Sequence, residues 1–558
     1  MRRLIILSLS LVYLVLTLGC SSDEEPYVPP LPTDPPEPPE EELQQPGTTY
    51  WWNDQVFYEV FVRSFMDDTG DGHGDLAGLI DKLDYLNDGD PDTDTDLGVT
   101  ALWLMPVVES PSDHGYDATD YRTIQPQYGT NAQFQQLMSE AHARGIQVIV
   151  DYVMNHLSNE HEWFTAAAAN DPDYEDWFLW RSSNPGWEQP WGGGNVWHRL
   201  SSGRYYYGVF WSGMPDLNYT NPAVEAEMLD IADFWLNTMG VDGFRLDAVK
   251  YLIEDGSILQ DTPETLEFWG RFREHLNTTA PNALTVGEAW DDTDVVIPYV
   301  EAGLHTCFEF NLAQAIITAV NSGSSSSLVS KVDQIIKGYP YHQYATFLTN
   351  HDQRRVLSQV GNTSRNKLAA AIMLTLPGVP FLFYGEEVGM ESGWDHHDVR
   401  RPMQWTSGAN AGFTTGSPWN EVGSNYQTNN VETMQADEGS LWNTYRRLVQ
   451  ARVASDALRR GTYHKLGSNS SRLFAFLRHD QGAAVVPIHN VGSPSVEVVL
   501  SATASQLEPG EYTAHDLLTG AELTGLTVED DGAFFDWRPV SSLAGLASVL
   551  VALEPVDP

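Results

Sequence analysis

The chain has 558 residues, more than one hydrophobic core usually serves, so two or three domains are expected. A hydrophobic fraction of 42% is ample for packed cores, while a formal charge of −47 excludes nucleic acid, polyanions and anionic membranes as partners, because each would be repelled. Six lysines stand against 24 arginines; such an acidic, lysine-poor surface suits a saline habitat, and a GC-rich genome is the alternative source of the same bias.

Arg2 and Arg3 precede an apolar run over residues 4–18, short for a membrane span and right for the core of an export signal. The run ends Thr17-Leu18-Gly19-Cys20, which resembles a bacterial lipobox, so residues 1–20 are expected to be a lipoprotein-type signal. Cys20 would then carry a lipid anchor at the outer membrane or cell surface, ordinary secretion being the alternative. Only Cys307 would remain, which rules out an intramolecular disulfide in the mature chain. Residues 21–49 are rich in Pro and Glu and lack apolar periodicity, as expected of a stiff, solvated linker. Eight of the 77 Asp and Glu residues fall there, so the folded part itself is strongly acidic.

From about residue 55 to 390, strand-length apolar runs alternate with helical patterns. The runs cover residues 56–61, 101–105, 148–153, 243–250, 284–290, 306–310, 347–352 and 380–384. Asn221 with Pro222 can start one helix and Gly240 can end it. Eight such units predict an α/β fold, a (β/α)8 TIM barrel split into residues 50–156 and 219–455, with its site at the carboxyl ends of the strands. Residues 157–218 are too many for a simple crossover. Trp163, Trp177, Trp180, Trp187, Trp191, Trp197 and Trp211 predict a small excursion domain there, whose rings either pack that domain or stack on sugar faces. Residues 456–558 have short apolar runs separated by Gly, Asn and Ser, the pattern of a C-terminal antiparallel β-sandwich.

The run Gly243-Phe244-Arg245-Leu246-Asp247-Ala248 puts Phe244, Leu246 and Ala248 on one face and an ion pair, Arg245 and Asp247, on the other. Such a pair can merely neutralise itself in a core. Two more carboxylates end similar apolar runs, Glu288 and Asp352, with His351 beside the second, and together they form a candidate catalytic cluster.

The motifs Asp151-Tyr-Val-Met-Asn155-His156, Met214-Pro215-Asp216-Leu217-Asn218, Gly243-Phe-Arg245-Leu-Asp247, Glu288, Asn350-His351-Asp352 and Gly378-Val-Pro380, in this order, resemble those of the α-amylase family of glycoside hydrolases. The Met214-Pro215-Asp216-Leu217-Asn218 motif is similar to that of a group intermediate between oligo-1,6-glucosidases and neopullulanases. This resemblance implies a retaining hydrolase of α-glucans, with Asp247 as nucleophile, Glu288 as acid and base, and Asp352 as the carboxylate that holds the distorted sugar. It places Arg245, His156, His351, His114, Tyr116 and Lys250 as substrate-binding residues, with Arg245 keeping Asp247 ionised while Glu288 is raised. Ala248 is the residue of α-1,4-specific members, so starch or maltodextrin is the expected substrate. A neopullulanase, an α-glucosidase or a 4-α-glucanotransferase, and a non-catalytic starch-binding lipoprotein, are the competing readings. A monomer is expected.

Residues 67–75 read Asp-Asp-Thr-Gly-Asp-Gly-His-Gly-Asp. Oxygen donors at alternate positions suit a hard cation, but the twelfth position is Gly78 and not the glutamate an EF-hand requires. The resemblance implies a single structural calcium held by Asp67, Thr69, Asp71, the His73 carbonyl and Asp75. Typical α-amylases have histidine where this chain has Tyr251, which leaves a second calcium site incomplete.

Overall fold

The computed structural model describes residues 43–556. The expected signal, Cys20 and most of the linker lie outside the described residues. Eight short strands form the central sheet: β1 (Phe57–Val60), β2 (Ala101–Leu104), β3 (Gln147–Tyr152), β4 (Gly243–Leu246), β5 (Leu284–Gly287), β6 (Thr306–Cys307), β7 (Ala345–Thr346) and β8 (Val379–Phe383). They pair in the order β6-β5-β4-β3-β2-β1-β8-β7, each pair parallel, and a parallel bridge between Phe308 and Ala345 closes the ring. This is the expected TIM barrel.

Apart from Gln147, every residue of these strands is buried on whichever face it lies, which is why the segments read as continuous apolar runs. Phe57, Trp103, Ile149, Leu284, Val286 and Phe381 fill the lumen, while Tyr58, Val60, Leu102, Leu104, Phe244 and Leu246 join the core shared with the helices. Alternation therefore sends Arg245 into the lumen, opposite Phe244 and Leu246. Gly243 is required by close approach: a Cβ there would stand 2.2 Å from the Leu284 carbonyl oxygen, at a φ of +152°. The helix Pro222–Asp233 starts as expected, the Asn221 side chain accepting from Ala223 N–H, and its continuation Phe234–Met239 ends at Gly240 with φ +82°.

The excursion leaves and returns beside one point. Leu157 N–H donates to the Pro215 carbonyl and Leu217 N–H to that of Asn155. Between them stands a three-stranded antiparallel sheet of Trp180–Arg181, Tyr205–Tyr207 and Trp197–Arg199. The last domain holds a six-stranded sheet, from Thr462–Lys465 at one edge to Glu522–Val528 at the other, with smaller sheets over it and a separate apolar core.

Three expectations need correction. The run over residues 347–352 is not strand: β7 ends at Thr346, and Asn350 closes a turn, its side chain accepting from Asp352 N–H and its carbonyl from Gln353 N–H. Ala248 does not continue the alternation of β4: the strand ends at Leu246, and Ala248 lies beyond it with a φ of +54°. The final linker residues are docked and not free: Tyr463 N–H donates to the Gln44 side chain and the Gln506 amide to the Gln44 carbonyl.

Candidate active site

Arg245 is wholly buried in the lumen at the carboxyl end of β4. It stands opposite Asp151 in the β3–β4 register, so the two side chains share a face. One terminal nitrogen, Nη1, donates to both oxygens of Asp151, at 2.8 and 2.9 Å, and to Asp247 Oδ1 at 2.7 Å. The other, Nη2, lies 2.7 Å from Glu288 Oε2 without the in-line geometry of a hydrogen bond. One guanidinium thus gathers three carboxylates, and its face lies over Trp103, 5.2 Å from the ring centre, which floors the site.

Burial pushes Glu288 up to about 7, with Asp247 and Asp352 adding to the rise and Arg245 opposing it. Asp247 is also raised by burial, against the pull of Arg245. The expectation that Arg245 holds Asp247 below the ordinary range is therefore corrected: desolvation at this depth outweighs the cation. The distinction between the two carboxyls is geometric, since Asp247 receives an in-line charge-assisted hydrogen bond and Glu288 does not.

A second ion chain runs from β1. His351 is fully buried, with Nδ1 2.6 Å from Glu59 and Nε2 3.0 Å from Asp352, and the Tyr116 hydroxyl 2.7 Å from the same Nε2. Burial would lower His351, but Asp352 and Glu59 overcome it and hold the imidazolium up to about 9. Desolvation likewise works to raise Asp352, yet His351, Arg400 and Arg245 bring it well below the carboxylate range. Arg400 Nη2 donates to Asp352 Oδ1 at 2.7 Å. His156 is pushed down to about 3 by burial, so it is neutral; its Nε2 has no partner and faces Asp247 Oδ2 at 4.0 Å, free to meet a hydroxyl.

These groups open on a cavity of about 840 Å3. Of the residues singled out in the sequence, Asp247, Glu288, Asp352, His114, Tyr116 and His156 line it. Arg245, His351 and Lys250 do not. The first two stand behind the carboxylates they position. Lys250, expected against substrate, is 2% exposed and lies off the cavity lining, with its ammonium paired to Asp291 and Asp261.

The sequence reading missed Asp151 as a partner, Glu59 and Arg400, and of the cavity's aromatic wall it named only Trp191 and Trp211, among seven rings that either pack or stack. That wall is Trp191, Phe210 and Trp211 from the excursion domain with Tyr251 and Trp290 from the barrel; Tyr251 packs edge-on to Phe210 and Trp191. Trp191, Trp211 and Trp290 remain about half exposed, while Trp163 and Trp197 are buried in the excursion domain. Glu59 was legible in principle, as a charge inside an apolar strand.

In the loop of residues 67–75, Asp67 accepts from Gly70 N–H, Gly72 N–H and the Thr69 and Thr414 hydroxyls, and Asp75 accepts from the Asp68, Thr69 and Gly78 N–H groups. The donors suit a hard cation in kind, and Asp67 Oδ1 lies 3.1 Å from Thr69 Oγ1. Asp71 instead faces outward, half exposed, and accepts from His73 N–H. A full shell therefore requires Asp71 to turn in. None of these residues lines the cavity.

Comparisons with known proteins agree with this geometry. The family model described as "Alpha amylase, catalytic domain" matches residues 59–461. Alpha-amylase 3 of Dictyoglomus thermophilum is 38% identical over 450 residues, covering 79% of this chain and 85% of that protein. Trehalose-6-phosphate hydrolase of Bacillus subtilis is 32% identical over 549 residues, covering 85% and 95%. The crystal structure of an α-amylase from H. orenii superposes with a TM-score of 0.78 at 37% identity, covering 90% of this chain and 99% of that one.

The His351 ion chain carries a pH signature. With a folded value near 9, above the ordinary 6.5, the imidazolium contributes stability that is fully present below pH 6.5 and is lost as pH rises through about 9. Thermal midpoints of the native protein and His351→Gln should differ most below pH 6.5 and converge above pH 9; a constant gap across that window would contradict the charged state.

Proposed function

The chain belongs to the α-amylase family, and we propose that it hydrolyses α-1,4-glucosidic bonds of starch-type glucans with retention of anomeric configuration. The observation that carries this reading is that Asp247 and Glu288 meet the two terminal nitrogens of one guanidinium. That arrangement fits the roughly 5–5.5 Å carboxyl separation of a retaining site, where no water fits between nucleophile and acid.

In the first step an Asp247 oxygen attacks the anomeric carbon while Glu288 gives its proton to the departing glycosidic oxygen. In the second, Glu288 takes a proton from water, whose oxygen displaces Asp247 from the same carbon. Asp352, held ionised by His351 and Arg400, accepts hydrogen bonds from sugar hydroxyls. Neutral His156, with His114 beside it on the cavity wall, completes the cleavage subsite, and Tyr116 supplies a flat face. Asp247→Asn or Glu288→Gln should lower kcat by roughly 10⁴-fold with the fold intact. In the native enzyme kcat/KM should fall above about pH 7 as Glu288 loses its proton. Near-normal turnover in either purified variant would refute the roles.

A neutral substrate is favoured over a phosphosugar. Among the described residues Arg400 is the one Arg or Lys lining the cavity, and it is paired with Asp352, so a phosphate would meet mainly carboxylates. The aromatic wall suits glucose rings stacked in succession. NMR of the first product from amylose should show the α-anomer, and maltodextrins should be released before glucose; initial β-product would exclude the mechanism. Glucose alone from the outset would point to an α-glucosidase, transfer products to a 4-α-glucanotransferase, and cleavage of pullulan to a neopullulanase. The three intact carboxylates disfavour a non-catalytic starch binder.

We also propose one structural calcium in the loop of residues 67–75, and export with a lipid anchor on Cys20 as a monomer. The loop's oxygen donors, brought together when Asp71 turns in, would hold the ion and stiffen the segment after β1, with no part in proton transfer. Metal analysis of dialysed protein should give one calcium per chain, lost in Asp71→Ala together with a lower thermal midpoint; two ions, or one unaffected by that substitution, would show the site misplaced.

A further inference from the structure

We propose that Asp113, His396 and His397 form a binding site for a divalent transition-metal ion of the zinc class at the mouth of the cavity. Among the described residues these three are the group of His, Cys, Asp or Glu whose ligand atoms all lie within 4.8 Å of one another. They come from two separate loops. Asp113 follows β2, just before His114 and Tyr116. His396 and His397 follow β8, in the one-turn helix His396–Val399 that leads into Arg400.

The donor set and its spacing fit such an ion. Four-coordinate zinc, with bonds of about 2.0–2.2 Å, sets its ligand atoms roughly 3.3 Å apart. His397 Nε2 already lies 3.0 Å from Asp113 Oδ2, and the two imidazole centroids are 4.2 Å apart, so small side-chain rotations bring the three donors onto one centre. The other nitrogen of His397, Nδ1, faces Asp395 Oδ1 at 3.5 Å. Asp395 Oδ1 accepts from the His397 backbone N–H and stands beside Nδ1, and a carboxylate that comes to hydrogen-bond the far nitrogen is what orients metal-binding histidines and leaves Nε2 available. Two imidazoles and one carboxylate favour zinc, copper or nickel over calcium and magnesium, which take oxygen. Both histidines are exposed, so an ion enters directly and water fills the fourth position. The field of a chain with formal charge −47 concentrates cations at its surface.

An ion here ties together the two loops that present His114 and Tyr116 on one side and His396 and Arg400 on the other, all of which line the cavity. It would narrow the mouth without touching Asp247 or Glu288. Its effect falls on substrate entry, raising KM with little change in kcat.

The test is calorimetric titration of the calcium-saturated full chain with zinc chloride, repeated on His397→Gln and Asp113→Asn, with cobalt absorption as an independent reporter. The native protein should bind one zinc with micromolar or tighter affinity and give the intense visible bands of four-coordinate cobalt. Each variant should bind at least about tenfold more weakly. Zinc should raise KM of the native enzyme and leave that of the variants unchanged. Absence of zinc binding to the native chain, or affinity and KM responses in both variants equal to the native ones, would overturn the proposal and leave His397 and Asp113 as a plain surface ion pair.

Discussion

A guanidinium with no exposed surface costs several kcal/mol unless its charge is met, and every main feature of this molecule's centre follows from how Arg245 is met. Three carboxylates from three strands converge on it: Asp151 at the end of β3, Asp247 just past β4 and Glu288 just past β5. Asp151 satisfies the cation from behind and is wholly buried, which leaves Asp247 and Glu288 turned toward the cavity. Removing Asp151 would leave the guanidinium under-satisfied and release it to swing, so that residue positions the pair without touching substrate.

The second chain, Glu59 to His351 to Asp352 to Arg400, alternates in sign across the barrel mouth. Its role is electrostatic partition. An imidazolium and a guanidinium on Asp352 keep that carboxyl ionised, while Glu288, whose contact with Arg245 lacks hydrogen-bond geometry, is left to desolvation and holds its proton. Neighbouring carboxyls in one cavity are thereby driven apart, which is what acid chemistry near neutrality needs. The Tyr116 hydroxyl joins the two chains, 3.0 Å from Asp151 and 2.7 Å from His351.

Much of this was legible because the relevant signals are local. A charged residue inside an apolar strand marked Arg245, and the strand period sent it to the lumen. Asn221, Pro222 and Gly240 marked a helix through capping chemistry alone. What was not legible depends on which residues meet. Lys250 reads like its neighbours in the motif, yet Asp291 and Asp261, distant in sequence, take its charge. His351 reads as a sugar ligand but is covered by Tyr116 and Asp352. The seven excursion tryptophans have equal weight in the sequence, and only packing separates buried Trp163 and Trp197 from cavity-lining Trp191 and Trp211. Asp247 was expected to be depressed because a cation lies beside it; depth, which no sequence reveals, reversed the sign.

Acid catalysis in this site depends on where one proton sits among the carboxyls gathered by Arg245. A neutron structure of the deuterium-exchanged enzyme at about pH 6 locates it directly. A deuteron is expected on Glu288 and none on Asp247 or Asp352; a deuteron on Asp247 facing a bare Glu288 would contradict the assigned roles.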